Sequence, residues 1–419
     1  MLDLNAIRAQ FPAFEKRPAI YFDNPAGTQV ARQSADRMLG YLLDTNSNKG
    51  GAFALSRESD AVLDEARQAA ADFLGAGRKE EIVFGPNMTS LTLHLSRSLA
   101  HTLNPGDRVL VTRLDHDANI SPWTRVAEER GAEVVWVDFD VEDGTLNADS
   151  LRAALDRAPK LAAIGYASNA LGTINPVKDI IRQARAAGVE TIFIDAVQYA
   201  PHGPIDVQDL GCDFLACSAY KFFGPHLGLL YGRYDLLDGL TAYKVRPASN
   251  KPPYKWETGT GNHEGIAGML GALEYLGWLG ETYGAAQEAQ LAERYSGRGL
   301  QLRKGLAALR AYEFELSRAM LDMLTSLPKV RLYGLADPRR IEERVPTFSI
   351  NIEGMRPHDV AVELDRRGIY AWDGNYYALA VTQRLGVEDS GGMVRLGPVH
   401  YNTMDEVHKV GEALAEISG

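Results

Sequence analysis

The stretch "TIFIDAVQYAPHGPIDVQDLGCDFLACSAYKFFGP", residues 191–225, contains two short apolar runs that each lead to a polar residue. The first run ends at Asp195, and the second leads through Ser218 to Lys221. Runs of this length, rich in Ile, Phe and Leu, predict buried strands. A lysine after a buried strand either extends its ammonium group to water or stays uncharged and reactive, as a Schiff-base lysine does. This stretch alone leaves both interpretations open.

The surrounding chain repeats the same pattern. From about residue 80 to 235, short apolar runs alternate with amphipathic helical stretches, which predicts an α/β fold with a mostly parallel sheet covered on both faces. Helical periodicity dominates from about 265 to 326, and a second set of strands and helices follows. We therefore predict a large α/β domain over residues 18–270. A smaller α+β domain is predicted to combine residues 1–17 and 271–419.

Length and composition exclude several classes of protein. The chain has 419 residues and a formal net charge of −11, so it lacks the basic face that a nucleic-acid partner requires. No apolar run is long enough to span a bilayer, and the first residues do not resemble a signal peptide. We therefore expect a cytoplasmic protein with no membrane partner. The two cysteines, Cys212 and Cys217, are expected to be small core residues.

Polar residues recur where predicted strands end. Asp195 ends one strand and is followed by Gln198, Asn169 follows a second strand, and Asp115 and His116 follow a third. Taken singly, such residues are helix caps, turn formers or surface groups. Because ligands of parallel sheets bind at the carboxyl ends of the strands, their order along the chain indicates one shared site.

The turn "FGPNMTS", residues 84–90, links a predicted strand to a predicted helix. It offers backbone N–H groups and the hydroxyls of Thr89 and Ser90 at a helix N-terminus. This combination predicts a phosphate cradle without a Walker-type lysine.

Several motifs together resemble the class V aminotransferase family of fold-type I pyridoxal-phosphate enzymes. The most similar branch is that of cysteine desulfurase-like proteins, which includes isopenicillin epimerase-like and selenocysteine lyase-like members. The resemblance covers about residues 18–412 and is most specific over 194–225. It implies a seven-stranded sheet in the large domain, pyridoxal 5'-phosphate as cofactor, no metal, an amino-acid substrate and a homodimer with shared active sites. The other motifs that carry it are "YFDNPAGTQ", "FGPNMTS", "DHDANISPW", "SNALGT" and "WETGTGN".

The resemblance implies a role for each strand-end residue. Lys221 would form the Schiff base with the cofactor and move protons at the substrate Cα. Asp195 would keep the pyridine nitrogen protonated, so that the ring acts as an electron sink. Gln198 would hydrogen-bond the phenolic oxygen, and His116 would stack on the ring. Lys221, His116 and Asp195 are thus the expected catalytic residues.

The same resemblance implies which residues bind the cofactor phosphate and which bind the substrate carboxylate. The phosphate would be held by the Met88 N–H, Thr89, Ser218 and Tyr220, and by Thr260 of the other subunit.

At the opposite end, Arg395 in "MVRLGP" would bind the substrate carboxylate in a bidentate manner. Asn169 would assist it and also contact the cofactor.

The chain departs from the desulfurase pattern in one loop. Those enzymes carry a cysteine that accepts sulfur as a persulfide, and the matching stretch here, "GIYAWDGNYYALAV", has Tyr377 near that position. No cysteine follows Cys217, and the arginine usual before the loop is replaced near Trp372. The expected function is therefore a C–S lyase that works without a persulfide cysteine. Two alternatives stay open, namely an aminotransferase or epimerase, and a non-catalytic scaffold that binds the cofactor.

Overall fold

A computed structural model describes residues 2–419, in which thirteen strands and sixteen α-helices can be traced. The strands are β1 (Ile20–Tyr21), β2 (Ile82–Gly85), β3 (Arg108–Thr112), β4 (Glu133–Val137), β5 (Leu161–Gly165), β6 (Thr191–Asp195), β7 (Phe214–Ser218), β8 (Gly228–Gly232), β9 (Val330–Tyr333), β10 (Phe348–Ile352), β11 (Ile369–Tyr370), β12 (Trp372–Gly374) and β13 (Met393–Leu396). The helices are α1 (Leu4–Arg8), α2 (Pro12–Lys16), α3 (Arg32–Gly40), α4 (Ala54–Leu74), α5 (Met88–Leu99), α6 (Ser121–Arg130), α7 (Ala148–Leu155), α8 (Val177–Ala186), α9 (Val207–Leu210), α10 (Tyr234–Gly239), α11 (His263–Tyr283), α12 (Glu288–Leu291), α13 (Gly297–Ser326), α14 (Pro357–Asp365), α15 (Leu379–Arg384) and α16 (Met404–Ser418).

The central layer is a seven-stranded sheet in the order β2-β8-β7-β6-β5-β3-β4. Six of these strands are parallel to one another, while β8 runs antiparallel to both of its neighbours. The predicted mostly parallel, seven-stranded α/β sheet is therefore confirmed.

Both faces of this sheet are buried, which explains why its strands are apolar along their whole length. In β6, Ile192 and Ile194 face the core shared with helices α4, α8, α11 and α13, while Phe193 faces the core formed with α5 and α6. Such burial contributes roughly 25 cal/mol per Å² of apolar surface, so a charged residue inside these strands would be costly.

Strand register places the polar strand ends side by side. Asp195 is the last residue of β6 and lies opposite Gly165 of β5 on one side and Ala216 of β7 on the other. Ser218 ends β7, and Lys221 follows within one 3₁₀ turn. The carboxyl ends of β5, β6 and β7 therefore open onto the same edge of the sheet.

The C-terminal part builds a second, antiparallel sheet in the order β12-β13-β10-β9. Helices α13, α14 and α16 share a separate apolar core with it. Strand β1 pairs with β11 beside this core, and helix α11 continues through residue 270. The domain limits at residues 18 and 270 stay predictions. Among residues 2–419, no helix is both long and apolar enough to cross a membrane.

A fourth apolar cluster joins the two parts next to the strand ends. It packs Leu114 and Ala170, which follow strands of the large sheet, against Tyr333, Tyr376 and Met393 of the C-terminal part. This contact brings the C-terminal loop before α15 to the edge where the polar strand ends lie.

Candidate active site

Lys221 lies at the base of a cavity at the carboxyl edge of the large sheet. Its side chain is buried, with 8% of the residue exposed, and its ammonium nitrogen donates to the Pro25 carbonyl. The same nitrogen lies 5.0 Å from the centroid of the Tyr220 ring. Burial, and then the positive charge of Arg395, lower the Lys221 pKa to about 7. The reactive interpretation of this lysine is the one that its surroundings favour.

The cavity gathers nine of the eleven predicted site residues. The two that are missing from its lining are Thr260 and Arg395. The lining residues are Asn87, Met88, Thr89, Asp115, His116, Ala118, Gly165, Ala167, Asn169, Asp195, Val197, Gln198, Ser218, Tyr220 and Lys221.

Two buried carboxyl groups lie in this cavity. Asp195 Oδ1 accepts a hydrogen bond from the Val197 N–H at 2.9 Å, and burial raises the Asp195 pKa to about 6. Asp115 accepts from the Gly165 N–H at 2.9 Å and from Asn119 Nδ2 at 2.8 Å. Burial and the nearby charge of Asp195 raise the Asp115 pKa to about 8.

Asp115 was named among the strand-end residues, but no role in the site was predicted for it. The available signal was its position, because it is the first polar residue after β3 and directly precedes His116. Sequence alone could not show that its carboxyl group turns inward to the Gly165 N–H.

His116 presents a neutral, flat ring to the cavity. Its Nδ1 accepts a hydrogen bond from the Ala118 N–H at 2.9 Å, so that nitrogen carries no proton. Burial lowers the His116 pKa to about 4, which keeps the imidazole uncharged at neutral pH. The Tyr377 ring stacks beside it with ring centroids 5.6 Å apart.

The residues of the predicted phosphate cradle lie at the start of α5. Asn87 caps this helix by accepting from the Ser90 N–H at 2.8 Å, and the Met88 N–H donates to Ser218 Oγ at 3.0 Å. Thr89 is exposed on the first turn and lines the cavity. The positive end of the helix dipole together with the Thr89 and Ser90 hydroxyls favours an anion, so these residues fit a phosphate.

Arg395 and Thr260 lie outside the cavity lining. Arg395, on β13, is buried and donates through Nη1 to the Asn169 carbonyl at 2.8 Å. Because Asn169 lines the cavity, this hydrogen bond places Arg395 next to it. Thr260 is exposed in a separate depression of about 1530 Å³. The structure does not bring Thr260 to the lysine of its own chain.

Buried polar atoms in the cavity fit pyridoxal phosphate. Asn169 Oδ1 and Gln198 Oε1 have no hydrogen-bond partner among residues 2–419, although both side chains are buried. Gln198 Nε2 donates to Thr347 Oγ1 at 3.0 Å. The opposite amide orientation would let Thr347 donate to Oε1 and turn the Gln198 N–H groups inward. Three further groups fit the same cofactor: the buried Lys221 amine, the Asp195 carboxylate for the ring nitrogen, and the start of α5 for the phosphate.

Comparison with known proteins identifies the family. The model of the family described as Aminotransferase class-V matches residues 20–304 and 299–410. The Aminotransferase-like protein FGM3 of Gibberella zeae is 34% identical over 415 residues, covering 97% of this chain and 96% of that protein. A cysteine desulfurase of Pectobacterium atrosepticum is 31% identical over 433 residues, covering 99% of this chain and 98% of that protein. The apo cysteine desulfurase of Thermococcus onnurineus NA1 has a TM-score of 0.86 and 28% identity, covering 100% of this chain and 98% of that one.

The chain therefore belongs to the class V aminotransferase family. Class V aminotransferases and cysteine desulfurases depend on pyridoxal phosphate, so this chain is a pyridoxal-phosphate-dependent enzyme of that family. The expected family, fold class, cofactor and enzymatic character are confirmed. The roles assigned to individual site residues stay predictions.

Capture of the cofactor by the apoprotein should follow the titration of Lys221. Only a neutral amine attacks an aldehyde, and the Lys221 pKa is lowered to about 7. The capture rate should therefore rise about tenfold per pH unit below pH 7 and level off above it. Rapid-mixing absorbance over a pH series would measure it, with Lys221→Ala as the control that captures no cofactor covalently. A rate that keeps rising toward pH 9 would instead indicate an ordinary, solvated lysine.

Proposed function

We propose that this enzyme is a C–S lyase that acts on a cysteine-like amino acid without storing sulfur on the protein. The observation that carries the proposal is that the loop beside the cavity has tyrosines and no cysteine. Tyr376 and Tyr377 occupy the loop that contacts His116 and Asn169, and this loop contains no thiol. The cysteine desulfurases among its relatives support a sulfur-containing amino acid as substrate.

Neither cysteine is suited to accept sulfur. Cys212 and Cys217 are buried in the core between the sheet and its helices. Burial raises the pKa of the Cys212 thiol to about 12 and raises that of Cys217 as well. Because the thiolate is the nucleophile, both groups are unreactive at neutral pH.

The net reaction balances without an oxidant. The substrate loses its Cα proton, and its Cβ–S bond breaks with the electron pair leaving on sulfur. Sulfur departs as sulfide or a thiol, and uptake of one water releases the remaining three carbons as pyruvate together with ammonia. Pyridoxal phosphate, when bound, supplies the electron sink for the Cα carbanion.

The residues of the chain supply binding and proton transfer. Arg395 and Asn169 would hold the substrate carboxylate at the C-terminal side of the cavity. The Lys221 amine, neutral above pH 7, would take the Cα proton and return it to the leaving sulfur. Asp195 would hold a proton on the pyridine nitrogen, and the neutral His116 ring would limit movement of the bound molecule.

A second candidate function is transamination or epimerisation. Both reactions begin with the same removal of the Cα proton, and the similarity to an aminotransferase-like protein supports them. A non-catalytic scaffold is disfavoured, because the chain belongs to a family of enzymes and its buried amine has a lowered pKa.

We further propose a cytoplasmic homodimer with shared active sites. Two unpaired cysteines suit a reducing compartment. Thr260 and Val245 line a shallow, open depression. Exposed apolar residues such as Leu43 and Phe53 favour contact with a partner subunit, because such residues are usually covered. In the proposed dimer, Thr260 would contact the phosphate held in the cavity of the other subunit.

Removing both cysteines should leave sulfur release intact. Cys212→Ala with Cys217→Ala should cost about 1 kcal/mol of unfolding free energy per site through lost packing, while kcat for sulfide release from L-cysteine stays within about twofold. Intact-protein mass spectrometry after turnover should find no added sulfur, and Lys221→Ala should release no sulfide. A sulfur adduct on either cysteine, with activity lost in the double variant, would contradict the proposal.

Mixing two inactive chains should restore activity if the sites are shared. A Lys221→Ala chain supplies Thr260, and a Thr260→Asp chain supplies Lys221, so each mixed dimer contains one complete site. Random pairing of subunits should return about a quarter of the sites. Tagged mixed dimers isolated by tandem affinity steps provide the direct assay, with remixed chains of one variant as control. Mixed dimers without activity would place each site within one chain.

A further inference from the structure

Arg395 is a buried cation that forms no salt bridge among residues 2–419, although the charge of Asp23 acts to raise its pKa. Only 3% of the residue is exposed, and its Nε has no hydrogen-bond partner among residues 2–419. Burial lowers the Arg395 pKa to about 10, which reflects the cost of keeping its charge out of water. If this buried guanidinium is to bind a carboxylate, its positive charge needs a stabilising neighbour that leaves its N–H donors unoccupied.

The ring of Tyr376 provides that compensation. The Arg395 Cζ atom lies 4.4 Å from the centroid of the ring, so the positive group rests against the negative π-face. Such an interaction is strongest where both groups are shielded from water, and Tyr376 is itself only 5% exposed. Because Nε has no hydrogen-bond partner among residues 2–419 and Tyr376 accepts no N–H hydrogen bond from Arg395, N–H groups stay available for a carboxylate.

Three contacts join Tyr376, Arg395 and Asn169 into a closed triangle. Arg395 Nη1 donates to the Asn169 carbonyl at 2.8 Å, and Asn169 Nδ2 donates to the Tyr376 carbonyl at 2.9 Å. The contact between the Tyr376 ring and the Arg395 guanidinium is the third side. Displacing Tyr376 would therefore disturb both residues to which we assign the substrate carboxylate.

The backbone of this turn is held in an unfavourable conformation. Tyr376 and Tyr377 have φ values of 55° and 58°, in the left-handed region that bulky residues rarely adopt. The Asp117 N–H donates to the Tyr377 carbonyl at 2.6 Å, and the Tyr377 N–H donates to Asn375 Oδ1 at 3.1 Å. A strained turn fixed by contacts from several directions is typical of a functional constraint.

We propose that Tyr376 is a positioning residue that holds Arg395 ready for the α-carboxylate and so sets the preference for amino acids over simple amines. The inference rests on the proposed role of Arg395. It does not depend on which bond the enzyme breaks, so it is independent of the C–S lyase assignment.

The test compares two ligands that differ only in the carboxylate. Calorimetry on the holoenzyme gives the affinities for L-alanine and ethylamine, and their ratio reports carboxylate recognition. Tyr376→Leu should reduce this ratio by about tenfold, because the guanidinium loses its π-face and its fixed place. Tyr376→Phe keeps the ring and should stay within about twofold of the unmodified enzyme.

Tyr333→Leu is the matched control. Tyr333 is a buried tyrosine of the same apolar cluster, and its ring lies 4.7 Å from the guanidinium carbon of Arg331 rather than that of Arg395. It should leave the ratio unchanged. An unchanged ratio in Tyr376→Leu, an equal loss in Tyr333→Leu, or a loss in Tyr376→Phe as large as in Tyr376→Leu would each overturn the proposal.

Two further variants keep the outcome decisive. If Tyr376→Leu does not fold, a fluorinated phenylalanine at position 376 preserves shape while weakening the π-face, and it should reduce the ratio relative to Tyr376→Phe. No reduction there would overturn the proposal. Arg395→Leu should abolish the carboxylate preference. Loss in Arg395→Leu without loss in Tyr376→Leu overturns only the role of Tyr376, while no loss in Arg395→Leu overturns the role of Arg395 as well.

Discussion

The desolvation of Lys221 is the constraint on which the rest of the site depends. A fully hydrated lysine is charged at neutral pH and cannot act as a nucleophile or base. Here burial and the nearby Arg395 lower its pKa to about 7, against the opposite influence of Asp195. The apolar strands on both sides, the Tyr220 ring and the Pro25 carbonyl keep water from the amine. Chemistry at this lysine is therefore a property of the core that surrounds it.

The parallel sheet places the other site residues next to Lys221. Because β5, β6 and β7 end at one edge in register, residues that end these strands or follow them closely can face the same space. Asp195 and Lys221 come from neighbouring strands, and the start of α5 closes the opposite side. The C-terminal part then adds Arg395 and the tyrosine turn across the fourth apolar cluster. A displacement of this tyrosine turn should thus affect substrate binding before it affects the cofactor.

Much of this arrangement could be predicted from the sequence. Strand and helix periodicity predicted the parallel sheet, the order of polar residues after successive strands indicated one shared site, and the family resemblance named nine of the residues that line the cavity. The inward turn of Asp115 was missed, because it depends on a hydrogen bond to Gly165, fifty positions away in sequence. The contact of Tyr376 with Arg395 was missed for a similar reason. It forms only when the turn adopts a left-handed backbone and packs against a different strand, and no local pattern encodes that packing.

The most direct test of this account is chemical identification of the residue that holds the cofactor. The holoenzyme is reduced with borohydride, digested, and mapped by mass spectrometry for the cofactor mass. We expect one modified residue, Lys221, in nearly stoichiometric amount, and no comparable adduct in a Lys221→Ala preparation treated in the same way. An adduct distributed over exposed lysines, or located mainly on another lysine, would contradict the central claim that burial has made Lys221 the reactive amine.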